Sequence, residues 1–433
     1  MKLSIEKVVY GGAGLAHVEA SGAATREIVF VPFTLPGEVV EAEVADTRDN
    51  FKDAALRHVI AASSDRIAPQ CVHFGVCGGC QYQHASYDAQ LRLKQSILQE
   101  TLERAGLNSL PAMQVHAAQP WEYRNRIRLR VAMVDWELRV GYLRRGSSEF
   151  LPVQMCPIAA PLLWYAAETF LQRAGSFPQW ANATQEIEFF TTGDEQKLQM
   201  TLFVSSQPVK GFSELCEALC EQLPQLAGAG VQIMETSGRG RKSLRMQPGA
   251  TWGAAGLNYT VADETYWVSR GSFFQVNRAI VAQLTELVCA GRSGRLAWDL
   301  YAGVGLFSRI LASQFAEVVA VEAAKGDLET NLRGPGRRAI ASTTVEFLRQ
   351  AVLERDRPEL IVMDPPRAGV GSEVCALLAR LKAPEVVYVS CDPATLGRDL
   401  RAMVDSGYKL NQLHLVDMFP QTFHQETVAV LRL

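Results

Sequence analysis

Residues 295–322 read RLAWDLYAGVGLFSRILASQFAEVVAVE. The apolar run RLAWDLY (295–301) predicts a strand, the glycines at 303 and 305 a sharp turn, the next segment a helix, and EVVAVE (317–322) a second strand. The alternation continues outward. ELIVMD (359–364) and EVVYVSC (385–391) read as further strands with helical segments between them, after a helix near 277–290. KLNQLHLVDMF and ETVAVLRL close the chain as strands. Strands that alternate with helices imply a doubly wound, Rossmann-like α/β sheet over residues 271–433.

Upstream the pattern differs. Residues 120–270 are mainly β, with helices near 159–174 and 209–224. SYDAQLRLKQSILQETLERAG (86–106) is an amphipathic helix with Ser86 as N-cap and Gly106 closing it. Residues 63–84 carry clustered cysteines and little periodicity. KLSIEKVVY, EIVFVPF and EVVEAEVAD, separated by GGAG, ASGA and LPGE, form a small β unit over residues 1–62. Three domains are expected, at 1–62, 63–270 and 271–433, with helix 86–106 free to pack on the last.

Composition bounds the function. Hydrophobic residues make up 48%, so disorder is not the default. No apolar run approaches the roughly 18 to 20 residues needed to cross a bilayer, and MKLSIEKVVYGGAG lacks a secretory core, so a cytoplasmic protein with no membrane partner is expected. A net charge of −3 argues against a broadly basic coat but allows a local basic track. Nine cysteines, an odd count, suit a disulfide framework poorly.

Ligands of doubly wound sheets bind at the carboxyl ends of the strands. The turn around Gly303 lets backbone approach a ligand, although Ser308 replaces the third glycine of a dinucleotide fingerprint and an ordinary tight turn reads equally well. Glu322 ends the second strand, where a carboxylate can accept both ribose hydroxyls. Asp364 ends the next clear strand, followed by Pro365 and Pro366, which stiffen the loop. Cys391 ends a strand, with Asp392 as helix cap and Pro393 in the first turn, a setting whose free amides favour thiolate. Cys216, Cys220, Cys289 and Cys375 read as packing. Glu426 opens the final strand after FPQTFHQ.

SCDPATLGRDL, DPPRAG, FFQVN and FPQTFHQETVAVL together resemble the RNA uracil-5-methyltransferase family over essentially the whole chain. The chain is most similar to its branch with an N-terminal TRAM domain and an iron-sulfur cluster, typified by 23S ribosomal RNA uridine methyltransferases. The resemblance implies an OB-like TRAM β-barrel, a mainly β central domain with the cluster loop, and a class I methyltransferase domain. It implies Cys391 as nucleophile and Glu426 as proton-abstracting base. It places Gln275, Tyr301, Glu322 and Asp364, beside the Gly303 turn, on S-adenosylmethionine. Phe273 would face substrate or cofactor, with core packing as the alternative. Leu306 stands where members often have Asn, and AIASTTVEF lacks their acid or asparagine, with Thr344 nearest in kind.

Such a kit matches the chemistry. Carbon 5 of uracil is a weak nucleophile until a thiolate adds at carbon 6, and its proton must then be removed by a base. An amino methyltransferase built on Asp-Pro-Pro would need neither Cys391 nor Glu426. A non-catalytic cluster-bearing RNA-binding or assembly factor is the alternative of another class.

Cys71-x5-Cys77-Gly-Gly-Cys80 supplies three thiolates on one loop, and Cys156 completes a set of four. Spacing alone accepts zinc or an iron-sulfur centre. The resemblance implies [4Fe-4S] at these four residues. Arg124, Arg126, Arg128 and Arg130 alternate with other residues and would share one strand face, suited to phosphates or simply solvated. Arg144 and Arg145 follow, and Arg239, Arg241, Lys242 and Arg245 form a second basic loop. The expected partner is RNA, 23S ribosomal RNA first and transfer RNA as the alternative, bound by a monomer. The target uridine must leave its stack.

Overall fold

The computed structural model describes residues 1–19, 26–48, 50–206, 210–237, 243–324 and 326–433. In the N-terminal unit, Lys2–Ser4 and Lys7–Val8 are two halves of one bent stretch. The first half pairs with Val39–Arg48 and the second with Ala13–Glu19, at opposite edges of a six-stranded sheet. Phe51–Ala61 and Arg26–Pro32 lie between, as the one parallel pair among the described residues of this sheet. Because only two residues separate the halves, the edges are drawn together and the sheet curls around Leu3, Ile5, Val29, Val31 and Val40.

The central unit is a seven-stranded sheet, in the order Phe150–Pro152, Glu137–Leu143, Arg126–Val134, Thr184–Thr191, Leu198–Val204, Leu226–Ser237, Ser243–Gly253. Helices Pro161–Ala174, Pro178–Ala183 and Phe212–Cys220 pack with it into one core. Strand alternation sends Ile127, Leu129 and Val131 into that core and Arg126, Arg128 and Arg130 to the other face.

Eight strands make the C-terminal sheet. Five are parallel, in the order Arg337–Ala341, Phe315–Glu322, Gly294–Leu300, Leu360–Met363, Glu385–Ser390. Glu426–Arg432 then runs antiparallel, followed by Lys409–Val416 and, at the edge, Met113–His116. The order reverses between Gly294–Leu300 and Leu360–Met363, and a crevice opens there at the carboxyl ends. Two short strands, Arg337–Ala341 and Met113–His116, are absent from the sequence reading, since four or five residues give too brief an alternation to register.

Helix Tyr87–Arg104 packs on this sheet through Leu98 and Leu102. Ser86 caps it, accepting from the Ala89 amide at 3.4 Å. From the same helix the fully buried Lys94 donates to Asp417 Oδ1 at 2.6 Å, and the Tyr87 hydroxyl donates to Asp417 Oδ2 at 3.0 Å. Loss of one partner from such a buried pair costs about 3–5 kcal/mol, because it strands the other charge. No helix among the described residues is long and apolar enough to cross a membrane.

Candidate active site

The glycine turn is built around a buried acid. Asp299 accepts from the Ser308 amide at 2.9 Å and also from the Ser308 hydroxyl, so the serine in the third-glycine position anchors the turn. Burial pushes Asp299 up to about 7, against those two bonds. Tyr301, Gly303 and Gly305 all have positive φ, at 63°, 55° and 90°. For Tyr301 that conformation costs of order 1–3 kcal/mol, a strain typical of ligand-binding turns. The Gly303 amide donates to Glu322 Oε2 at 2.9 Å and the Ala324 amide to Oε1 at 3.2 Å. Glu322 therefore sits across the mouth of the turn, at the end of the neighbouring strand.

Two strands along, Asp364 follows Met363 and accepts from Gln275 Nε2 at 3.4 Å. The Gln275 carbonyl is held in turn by Asn125 Nδ2 at 2.9 Å. Burial and then the charge of Asp299 push Asp364 up to about 7. Glu426 is only 4% exposed, and its Oε1 has no hydrogen-bond partner. Burial, then Asp364, holds its carboxyl well above the usual range, with Arg367 opposing. An unpartnered buried carboxylate oxygen is costly and calls for an explanation, of which a catalytic role is one.

Cys391 is half-buried beside these acids. Burial, then the charges of Glu426 and Asp364, pushes its thiol up to about 11, with Arg367 pulling the other way. This reverses the expectation of a helix-stabilised thiolate. The free amides of helix Pro393–Asp405 at Ala394 and Thr395 both donate to Asp392, at 3.0 Å each, and are not available to the sulfur.

Two residues join the site that sequence reasoning did not assign. The Arg367 side chain, in the quoted DPPR segment, makes no hydrogen bond or ion pair among the described residues, yet its charge acts on Cys391 and Glu426. Tyr10 arrives from the N-terminal unit. Its hydroxyl lies 3.5 Å from the Cys391 carbonyl, and its ring meets Phe423 edge-on at 5.3 Å. Nothing in the local sequence around Tyr10 signals that contact. Phe273 is 68% exposed, which sets aside the core-packing alternative.

Cys71, Cys77, Cys80 and Cys156 line one cavity of about 100 Å³. The Gly79 amide donates to Cys77 Sγ at 3.4 Å, and the Cys71 amide to Gln83 Oε1 at 3.0 Å. Four thiols lining one cavity are, by donor type, the set that an iron-sulfur cluster or zinc takes. Among the described residues no three His, Cys, Asp or Glu side chains approach closely enough to hold a single ion. Cys216, Cys289 and Cys375 are buried in cores.

The arginine stripe divides. Arg124 precedes the strand and lines the cysteine cavity rather than the outer face. Arg126 pairs with Glu188 at 3.5 Å, Arg130 with Glu186 at 2.8 Å, and Arg128 also with Glu186. The acids come from the adjacent strand Thr184–Thr191, far along the chain, so a count of local acids misses them. Arg144 pairs with Glu149 at 2.9 Å, and Arg145 lies over the Phe33 ring at 4.8 Å. Arg239, Arg241 and Lys242 of the second basic loop lie outside the described residues.

Comparison with known proteins adds to this geometry. A family model described as tRNA (Uracil-5-)-methyltransferase matches residues 86–349 and 338–432. An uncharacterized RNA methyltransferase of Aquifex aeolicus is 31% identical over 100% of the chain and 98% of the relative. The 23S rRNA (uracil(1939)-C(5))-methyltransferase RlmD of Halomonas elongata is also 31% identical, over 99% of the chain and 89% of the relative. Among solved structures, the Pyrococcus abyssi tRNA (uracil-54, C5)-methyltransferase in complex with S-adenosyl-L-homocysteine superposes with a TM-score of 0.75. The coverage is 100% of this chain and 99% of that one, at 21% identity.

Proposed function

Because this chain belongs to the RNA uracil-5-methyltransferase family and is an S-adenosylmethionine-dependent enzyme of it, we propose that it methylates carbon 5 of a uridine in 23S ribosomal RNA, with Cys391 as nucleophile and Glu426 as base. The observation that carries the reading is the meeting of Cys391 with a buried, unpartnered glutamate at the carboxyl edge of the parallel sheet.

Cys391 enters as its thiolate and adds to carbon 6 of the ring. The ring electrons move to carbon 5, which attacks the methyl group, and the carbon–sulfur bond of the sulfonium breaks to leave S-adenosylhomocysteine. Glu426 takes the carbon-5 proton, the ring double bond re-forms, and Cys391 leaves as thiolate. The cofactor supplies the methyl group on a positive sulfonium, whose charge also favours the thiolate. Glu322, with the turn of Tyr301 and Gly303, is suited to the ribose and the backbone-facing side of that cofactor. Gln275 and Asp364, hydrogen-bonded to each other at 3.4 Å, are read as further contacts of that cofactor.

The uridine must swing out of its stack to enter the crevice. Phe273, exposed just before Gln275, offers a ring for a neighbouring base. Arg126, Arg128 and Arg130 offer a phosphate path on which RNA competes with Glu186 and Glu188. Counting its bent first stretch as one strand, the N-terminal unit has the five strands of an OB-type, TRAM-like barrel, a common RNA platform. The four cysteines are read as [4Fe-4S] ligands. The setting is the cytoplasm, with the enzyme acting as a monomer.

The ribosomal reading is supported by a relative, 31% identical over 89% of its length, that carries a 23S name, while the family model and the solved structure carry transfer RNA names. Mapping 5-methyluridine in cellular RNA with and without the gene tests this directly. One 23S uridine should lose its methyl group. Loss confined to transfer RNA would replace the substrate, and no gene-dependent site would overturn the activity. Protein purified without oxygen should be brown and hold about four irons. A colourless protein with one zinc would refute the cluster.

A further inference from the structure

We propose that Gln81 is a positioning residue that couples the cysteine loop to the catalytic base, holding the turn of residues 417–425 that delivers Glu426. The inference rests on the reading of Glu426 as base. That turn joins Lys409–Val416 to Glu426–Arg432, and its own hydrogen bonds are few and local, from the Thr422 amide and hydroxyl to the Phe419 carbonyl and from the His424 amide to the Thr422 hydroxyl. Gln421 within it has φ +68°, a conformation that side chains other than glycine rarely adopt.

The turn is held from outside. Gln90 clamps Gln421, accepting from its amide at 3.0 Å and donating to its Oε1 at 2.9 Å. The Tyr123 hydroxyl donates to the Pro420 carbonyl at 3.0 Å, and Lys94 Nζ to the Phe419 carbonyl at 3.0 Å. The Gln421 carbonyl accepts from the amides of Gln81 at 2.9 Å and Tyr82 at 3.0 Å, the two residues that follow Cys80.

Gln81 has a second connection. Its side-chain Oε1 accepts from the Phe423 amide at 3.4 Å, while its Nε2 donates to the Gly78 carbonyl at 3.1 Å. One side chain thus bridges the base turn and the peptide between Cys77 and Cys80. A centre held by Cys71, Cys77, Cys80 and Cys156 would fix Gly78, and through Gln81 the place of Phe423 three residues before Glu426. Proton removal from carbon 5 tolerates little error, since a displacement of about 1 Å can cost about 100-fold in rate.

The test compares full-length wild type, Gln81→Ala and Gln81→Glu on RNA carrying uridine or 5-fluorouridine at the target. A base cannot remove fluorine, so the methylated covalent adduct accumulates without any contribution from Glu426. Gln81→Ala should form that adduct at the wild-type rate. On uridine its kcat should fall about 10- to 100-fold, with KM and iron content unchanged. Gln81→Glu keeps the acceptor for the Phe423 amide but loses the donor to the Gly78 carbonyl, so it should stay impaired, and full recovery would overturn the link to the cysteine loop. Backbone amides of 417–425 should exchange hydrogen faster in Gln81→Ala. The coupling is overturned if Gln81→Ala turns over normally, or if adduct formation or iron is lost together with turnover. Absence of the adduct in wild type would instead overturn the Cys391 and Glu426 assignment on which the coupling depends.

Discussion

Cys391→Ala should lower methyl transfer by more than about 10⁴-fold, because the variant cannot open the route through carbon 6 and carbon 5 is left unreactive. The fold should not change. Cys391 is half-buried at a strand end, and the Asp392 cap beside it is independent of the sulfur. Binding of S-adenosylmethionine should therefore persist, measured by calorimetry, while transfer of a labelled methyl group into RNA disappears. Retained methylation would mean that Asp364 and the following prolines serve an exocyclic amine instead. The raised thiol adds a check on the resting enzyme. With its pKa pushed up to about 11, Cys391 should alkylate slowly at neutral pH, faster once the positively charged cofactor is bound, and not at all when substrate RNA covers the sulfur.

Glu426→Gln should separate the steps. Thiol addition and methyl transfer precede proton removal, so the variant should stall as a protein–RNA adduct that survives denaturing gels. Turnover should drop about 10² to 10⁴-fold, the usual worth of a general base. The adduct should vanish in the double variant with Cys391→Ala. The pH dependence has a definite sign. Burial and Asp364 hold the Glu426 carboxyl above its ordinary range, so wild-type turnover should rise with pH as Glu426 loses its proton. Glu426→Gln should lose that rise. Turnover in Glu426→Gln at the wild-type rate, with no adduct, would remove Glu426 from the chemistry.

How much of this was legible in the chain depends on distance along it. The α/β half was clear because each element is local: RLAWDLY and EVVAVE declare strands, and the glycines between them declare the turn. The four clustered or motif-borne cysteines and the residues at strand ends were also named in advance, since strand ends share one edge. What stayed hidden is non-local. The acids opposite Arg126, Arg128 and Arg130 come from a separate strand. Arg124 continues the stripe by spacing but lies two residues before the strand begins, against the cysteines. The helix at Cys391 was correctly placed, yet its amides go to Asp392. A capping residue that signals the helix in sequence also consumes the field it would offer a neighbour. Tyr10 was invisible because only the folded arrangement carries it to the nucleophile.

The edge strand Met113–His116 and the helix Tyr87–Arg104 belong in sequence to the chain before Gly271 but in space to the C-terminal sheet. The methyl-transferring half is therefore not a portable cassette. Cut at residue 271, it would shed its own outer strand and the helix that supplies Lys94 to Asp417. Recombination that exchanged RNA-reading modules at that point would leave an exposed sheet edge and a stranded buried charge. Exchanges that keep residues 86–116 with the sheet avoid both faults, so the permissible seams in this architecture lie further upstream than the change in sequence pattern suggests.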